Sequence, residues 1–393
     1  MKVDIAIVGG GIVGLLSSYI LKEIGYKVLG LESKNIENYD QRYIALSYTS
    51  KEILKSFPIW KYIKSISQNI TDIHISDKGY FGFTHISSKD INIPELGCVV
   101  SLYKLNKILK KYNKKNYLFS AKVLSIDNIN NKEVNIKFIY NQKINELKAK
   151  LILLANGSDS LLIKKLGIKI YQKLYNQTAI VSNIDLEINH NNVAYERFTS
   201  TGSIAILPCA FKKASLIWCL SSNDSKKMML LNDKEFIHKL QNFFGYRLGT
   251  FKKISKRTSF DLQMSYPKKL IKNRILLFGN SAHHMHPIAA QGLNLTIRDL
   301  KCLANIINFQ NDPGNIDLLK KYISLQKYDH YFTIKTTDLL IKIFESKSFF
   351  LIFLRNSALL FFDYIPFLNT LIAKHMMGIN VFNLFKKECK IYD

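Results

Sequence analysis

The chain has 393 residues, 47% hydrophobic and 22% charged, an ordinary globular composition with room for two or three domains at about 150 residues each. That composition excludes a disordered chain, a collagen and a disulfide mini-protein. Cations exceed anions by 56 − 30 = +26, but only seven of the 56 are Arg; the Lys are scattered among Asn, Ile and Tyr, which reads as compositional drift and not as a nucleic-acid footprint.

In chain order, Val3 to Val8 reads as a buried parallel strand and not as a signal peptide, since it carries Asp4 and runs straight into a glycine turn. Gly9-Gly10-Gly11-Ile12-Val13-Gly14 follows, then an apolar helix from Leu15 to Ile24, a stop at Gly25, and a second strand from Lys27 to Leu31 ending in Glu32. This is the G-x-G-x-x-G arrangement between strand and helix. Gly9 permits the turn, Gly11 lets the backbone approach a pyrophosphate, and Gly14 lets helix and strand pack closely, while Glu32 is spaced to accept from an adenosine ribose. The motif alone does not separate FAD from NAD.

Further along, Leu151 to Ser160 is a buried strand breaking into a polar turn at Asn156-Gly157, with a short helix from Leu161 to Leu166 after it. Arg274 to Ala282 repeats that logic at Gly279-Asn280. The segment His286-Pro287-Ile288-Ala289-Ala290-Gln291-Gly292-Leu293-Asn294-Leu295 then leads into a helix with Arg298 and Asp299. Asn311 to Asn315 is a turn between helices. The five cysteines, Cys98, Cys209, Cys219, Cys302 and Cys389, contain no C-x-x-C pair and are odd in number, which fits a reducing cytoplasm. No metal is expected: the His283-His284-x-His286 side chains point apart, and no carboxylate or Cys follows at ligand spacing. Ser348 to Ala373 is strongly apolar but broken by Arg355, Asp363 and Pro366, so it reads as interfacial or buried helices and not as a membrane span.

These residues resemble the flavoprotein aromatic hydroxylases of the para-hydroxybenzoate hydroxylase type, and within them the ubiquinone-biosynthesis hydroxylases. The likeness rests on the glycine motif, Arg42 to Ser47, Asn156-Gly157, and Gly279 to Asn294. It is most specific in Ile73 to Gly79, Tyr195 to Thr199 and Gly202 to Pro208, which resemble the members acting on 2-polyprenyl-6-methoxyphenol. The resemblance implies an α/β fold with a Rossmann-like FAD-binding domain of the glutathione-reductase type, discontinuous over 1–71, 98–178 and 265–337. A sheet-rich substrate domain (72–97 and 179–264) and a helical C-terminal region (338–393) complete it. Within the substrate domain, Phe81, Phe83, Phe198 and Trp218 are candidates to line a lipophilic pocket.

The resemblance further implies a non-covalent FAD, with its adenine ribose at Glu32, pyrophosphate over Gly11 and Arg42, ribityl chain at Asn280 and isoalloxazine against Pro287 to Asn294. Gly9, Gly14, Asn156, Gly157, Gly279, Gln291, Gly292 and Leu293 complete the cofactor set, and His286, Pro287 and Asn294 are the candidate catalytic residues. Relatives usually have Asp in place of Asn156 and Gly in place of Ala290, which puts flavin reduction and affinity in question. The implied activity is hydroxylation of a polyprenylated phenol, para to its hydroxyl, in ubiquinone synthesis, using O2 and NAD(P)H or a separate reductase. Partners would be that phenol, a peripheral membrane surface on the cytoplasmic side and other ubiquinone-biosynthesis subunits, with no nucleic acid. Two rivals stand beside it: a flavin dehydrogenase or reductase acting on a lipid, and a non-catalytic scaffold keeping the hydroxylase fold.

Overall fold

A computed structural model describes residues 1–34, 40–128, 131–158, 161–346 and 348–379. Asp159 and Ser160 of the second turn, Cys389 and the end of the C-terminal region lie outside the described residues. The first sheet is built on Lys2–Val8, which pairs in parallel with Lys143–Leu154 on one side and Val28–Glu32 on the other. Tyr117–Phe119 extends it beyond Val28–Glu32, and Ile275–Leu277 beyond Lys143–Leu154. Parallel strands need cover on both faces, which is why they read as unbroken apolar runs. Ile5, Ile7, Leu151 and Leu153 face the helices Ile12–Glu23, Leu102–Asn113 and Gln291–Ile307. Ala6, Val8, Ile152 and Leu154 face the antiparallel pair Lys122–Asn128 and Val134–Tyr140.

The second sheet runs in the order Phe251–Ile254, Ile170–Leu186, Lys213–Ser221, Gly202–Ala210, Val193–Thr199, Asp72–Asp77, Phe83–Ser87, with Thr258–Pro267 also paired to Ile170–Leu186. Ile170–Leu186 and Thr258–Pro267 reach past residues 179 and 264, so this sheet is wider than the segments read as substrate domain. Strand alternation divides its residues between two faces. Ile204, Ile206, Leu216, Trp218 and Leu220 face the helix Asp233–Phe244. Trp218 is fully buried there against Phe236 and Phe243, which removes it from the pocket expected of it. Phe81 and Phe83 are exposed near the turn before Phe83–Ser87.

Three helices close the described chain: Ile316–Glu345, Phe349–Tyr364 and Pro366–Met376. The first begins well before residue 338, because Asn315 caps it by accepting from the Asp317 N–H at 2.8 Å. Among the described residues no single helix is long and apolar enough to cross a membrane; the last two form a pair bent by 98°.

Candidate active site

The glycine turn sits where the first strand hands over to the first helix. Gly9 has φ +116°, and a Cβ there would collide with the carbonyl of Ala155, so this turn and the Asn156-Gly157 turn pack against each other. A Cβ at Gly14 would collide with the Gly9 carbonyl, so the helix lies close against the strand. Gly11 differs: nothing lies within 4 Å of where its Cβ would stand. Gly11 is also the N-cap of Ile12–Glu23, with no side-chain cap and no acid in the first turn. Amide donors at a helix N-terminus, uncapped and beside open space, suit a pyrophosphate.

Glu32 is buried at the end of its strand, its carboxylate accepting from the Gly10 N–H at 2.5 Å and the Lys34 N–H at 2.8 Å. It therefore stands at the glycine loop, where a ribose would meet it. Tyr117, which carried no motif, braces the same loop: its hydroxyl donates to the Gly9 carbonyl at 2.7 Å, and its ring fills the space a side chain at Gly30 would take. Arg42 is engaged differently from the pyrophosphate contact expected of it. Its Nε and Nη2 hold the Asp40 carboxylate, and the guanidinium lies 4.5 Å from the Phe260 ring centroid.

A second uncapped helix start faces the expected flavin edge. Gln291–Ile307 has Ala290 as N-cap, no side-chain cap, no acid in its first turn, and open space beside Gly292. Ala290 is left-handed, φ 50° and ψ 35°, a conformation that a side chain disfavours and that glycine adopts freely. Gly279–Ser281 forms a short 3-10 turn in which Asn280 is exposed, and Ser281 donates to the Gly157 carbonyl at 2.9 Å, joining the two polar turns. Asn294 ends the turn expected against the flavin, and both N–H donors of its side chain are used inside the protein, on the carbonyls of Ala45 at 3.0 Å and Ala290 at 2.7 Å. Its oxygen accepts from the Ser47 N–H at 2.9 Å, so Asn294 pins the turn to Tyr43–Ser47. Gln291 donates to the Met376 carbonyl at 3.1 Å, and Leu293 packs on the helix-covered core.

Just before this helix lies a cavity lined by Gln177, Phe198, Ser203, Cys219, His286 and Ile288 from the second sheet and the turn, and by Ile341 and Phe344 from the Ile316–Glu345 helix. Phe344 stacks on Phe198 across it. The buried His286 is held from both nitrogens: Nδ1 accepts from the Ile288 N–H at 3.2 Å, which puts the proton on Nε2, facing Gln177 Oε1 at 2.9 Å. Burial lowers its pKa to about 4, so it is a neutral wall at physiological pH. Pro287 fixes the turn that follows, as N-cap of Ile288–Ala290.

His283 does find a carboxylate, which spacing in the sequence did not suggest. His283 Nε2 lies 2.8 Å from one oxygen of Asp299, and His330 Nε2 lies 2.6 Å from the other, all three buried. Their potential ligand atoms lie within 4.8 Å of one another, and hydrogen bonding closes the cluster as it stands. Burial alone would raise Asp299 and lower His330; their mutual attraction overrides both, holding Asp299 well below the carboxylate range and His330 above the usual histidine value.

Comparison with known proteins gives the family and the fold. The FAD binding domain family matches residues 2–325. Over 390 residues the chain is 30% identical to an uncharacterized protein of Synechocystis sp., covering 96% of this chain and 93% of the relative. It is 29% identical over 357 residues to ubiquinone hydroxylase UbiL of Rhodospirillum rubrum, covering 87% and 82%. The crystal structure of p-nitrophenol 4-monooxygenase PnpA from Pseudomonas putida superposes with a TM-score of 0.78 at 15% identity, covering 98% of both chains, a likeness of fold.

Proposed function

The chain belongs to the FAD binding domain family, and from that premise we propose that it hydroxylates a 2-polyprenyl-6-methoxyphenol to the 1,4-benzoquinol in ubiquinone synthesis, with NAD(P)H as electron donor and O2 as oxygen source. At the coarser level it is a flavoprotein aromatic monooxygenase of ubiquinone biosynthesis. What carries the finer reading is one juxtaposition: two uncapped helix N-termini beside open glycines, and next to the second of them an apolar cavity walled by His286.

In this reading Gly9, Gly11, Gly14 and Glu32 hold the adenosine and pyrophosphate. Asn156, Gly157, Gly279 and Asn280 flank the ribityl chain, and Gln291, Gly292, Leu293 and Asn294 present backbone amides to the flavin's pyrimidine edge. Arg42 would contact the pyrophosphate through guanidinium N–H groups beyond the Nε and Nη2 that hold Asp40. When bound, FAD supplies the activation of dioxygen and the transfer of one oxygen atom. The protein contributes shape and exclusion of water. Phe198, Ile288, Ile341 and Phe344 form a dry wall for the ring, and the neutral His286 borders it without a competing charge. The lipid tail of such a substrate would leave the cavity along the C-terminal helices toward a peripheral membrane surface. The division into a discontinuous flavin domain, an inserted substrate domain and a helical C-terminal region is part of the same reading.

The test starts with the visible spectrum of the purified protein before and after FAD, then dithionite under nitrogen, then turnover of a short-tailed prenyl methoxyphenol with NADH under labelled dioxygen. Flavin bands that bleach and return with air, and one labelled oxygen per product, are expected. A protein that stays colourless puts the scaffold ahead, and NADH oxidation with an unlabelled product puts a dehydrogenase or reductase ahead.

A further inference from the structure

The cavity beside the second helix start holds one polar side chain whose direction the fold fixes. Gln177 lies on Ile170–Leu186 at a break in its pairing with Thr258–Pro267, where the register shifts between Leu174 and Gln177. Asn176, inside that break, is left-handed at φ 54°, a conformation that side chains disfavour and that Asn tolerates better than most. A bulge of this kind re-aims the residue beside it. Here that residue is Gln177, which lines the cavity and is only 8% exposed. It shares a face with Ala179, two residues on, and the register carries that face from Ala179 to Cys219, Ser203 and Phe198 on the three neighbouring strands.

Two hydrogen bonds decide which end of the Gln177 amide faces the cavity. The Ile288 N–H can only donate, so His286 Nδ1 accepts from it and the ring hydrogen is on Nε2. Nε2 in turn donates, at 2.9 Å, so the Gln177 atom that meets it is the oxygen. A reversed amide would set N–H against N–H. With Oε1 taken, Gln177 Nε2 has no partner among the described residues, and protein atoms do not seal it off. The Ser203 hydroxyl and the Cys219 thiol rotate to suit a ligand, whereas this amide offers the cavity donors alone. A buried donor left unpaired costs free energy, so the cavity favours a ligand with an oxygen acceptor at that point.

We propose that Gln177 Nε2 donates to the phenolic oxygen of a ring bound in this cavity and makes the cavity prefer the phenolate. The proposal rests on the hydroxylase reading above and names a residue that orients its substrate. No bond to the protein forms: the phenol's O–H bond breaks, the proton passes to water, and the phenolate oxygen accepts from the amide, with no change in oxidation state. A hydrogen bond to an ionised oxygen is roughly twice as strong as a neutral one, and the phenolate is the richer in electron density at its para carbon. The lining carries no charge that would compete. His286 is neutral, and burial pushes the Cys219 thiol up to about 12. Around the cavity, Asp338 is held by Lys173 and Lys342 and accepts from the Tyr175 hydroxyl at 3.1 Å, while Asp77 is held by Arg355. Glu196 on Val193–Thr199 and Asp261 on Thr258–Pro267 lie outside the lining.

The test uses the full chain loaded with FAD, comparing wild type with Q177L and Q177E. The probe is 4-nitro-2-methoxyphenol, whose phenolate is yellow; with no reductant present it binds without turnover. Its ionisation is read by difference absorbance from about pH 5 to about pH 10. Bound to the wild type it should ionise at a lower pH than bound to Q177L, by about 1–2 pH units, the roughly 10- to 100-fold expected of one hydrogen bond to a charged oxygen. Q177E still accepts from His286 but turns an oxygen to the ligand, so there the probe should ionise at a higher pH than in Q177L. Product formation from a short-tailed prenyl methoxyphenol should show its rising pH limb displaced upward in Q177L by the same amount. If Q177L fails to load FAD, Q177E, which differs from the wild type by one atom, decides alone. The donor role is overturned by itself if the wild type hydroxylates the phenol while probe and limb are unchanged in both variants. It is overturned too if the displacement vanishes with 4-nitrophenol, which would assign the amide to the methoxy oxygen. A wild type that neither binds the probe nor hydroxylates the phenol overturns the functional reading and the donor role with it.

Discussion

Ala290 concentrates the tension between sequence and site into one residue. The family resemblance leads one to expect glycine where this chain has a side chain, and the backbone takes the left-handed conformation regardless, at φ 50°. A non-glycine residue there costs about 1–2 kcal/mol, partly offset because glycine loses more freedom on folding. We therefore expect A290G to stabilise the protein by about 0.5–1 kcal/mol in urea unfolding, and to tighten FAD binding in a fluorescence titration, since the same turn presents amides to the flavin. Equal stability and equal affinity would mean that the turn relaxes when flavin binds. His286 gives a second prediction. Unfolded, it takes up a proton near 6.5; folded, only near 4. Between those values the unfolded chain binds more protons, so stability falls as pH falls. The difference amounts to about 3 kcal/mol from this residue. Urea titrations from pH 7 to 4 should show the wild type losing that much more than H286N; parallel curves would show that His286 is not held neutral by burial.

Between elements, buried polar locks fix the site. Asp299 on Gln291–Ile307 joins His283 on the turn to His330 on Ile316–Glu345, and Arg298, one residue earlier, grips Asp329 at 2.7 and 3.0 Å. Removing one member of such a buried set strands charge, so D299A should cost about 3–5 kcal/mol. The pH window has two edges. Asp299 is held below its ordinary value, so its contribution is present above about 4 and lost on acidification. His330 is held above 6.5, so its contribution is present below that and lost as pH rises through its folded value. The wild-type advantage over D299A in urea unfolding should therefore peak between these limits, and a flat difference would mean the triad is packing alone. Such locks also mark how far sequence reaches. Gly9, Gly14 and Glu32 were legible because turn, helix and strand are contiguous and the backbone geometry is local. Asp299 and His330 lie 16 and 47 residues beyond His283, and only the crossing of two helices brings them together. Likewise the alternation in Gly202–Ala210 and Lys213–Ser221 is readable, but not which face meets the flavin domain; hence Trp218 reads as a candidate for the pocket, while the fold packs it against Phe236 and Phe243.

At the scale of the whole molecule, the C-terminal helices present an apolar surface of the kind that monomeric soluble proteins avoid. On Phe349–Tyr364, Phe350, Phe353, Leu354, Phe361 and Tyr364 recur at helical spacing and are all exposed, and Phe367 follows on the next helix, 73% exposed. The neighbouring hairpin extends this surface, since Asn356 accepts the Gly82 N–H at 2.9 Å and so brings the exposed Tyr80 and Phe81 alongside. On Ile316–Glu345, Tyr328, Tyr331, Lys335, Leu339 and Lys342 share one exposed face, the mix of aromatic rings and cations found where a helix lies in a lipid headgroup layer. These helices also carry Ile341 and Phe344 into the cavity, so a lipid tail would have an apolar path from bilayer to site. With a charge of +26, anionic lipid should be favoured over neutral lipid, by about 1 kcal/mol for each Lys near the surface. The full chain should therefore sediment with vesicles containing phosphatidylglycerol, less with pure phosphatidylcholine, and progressively less as salt rises. F350E/F353E removes about 3–6 kcal/mol of burial and should abolish sedimentation while leaving turnover of a short-tailed, water-soluble phenol intact. If that variant sediments like the wild type, lysines alone hold the protein at the bilayer and the apolar helices serve another contact; if it loses turnover of the soluble phenol as well, those helices shape the cavity and do not deliver the tail.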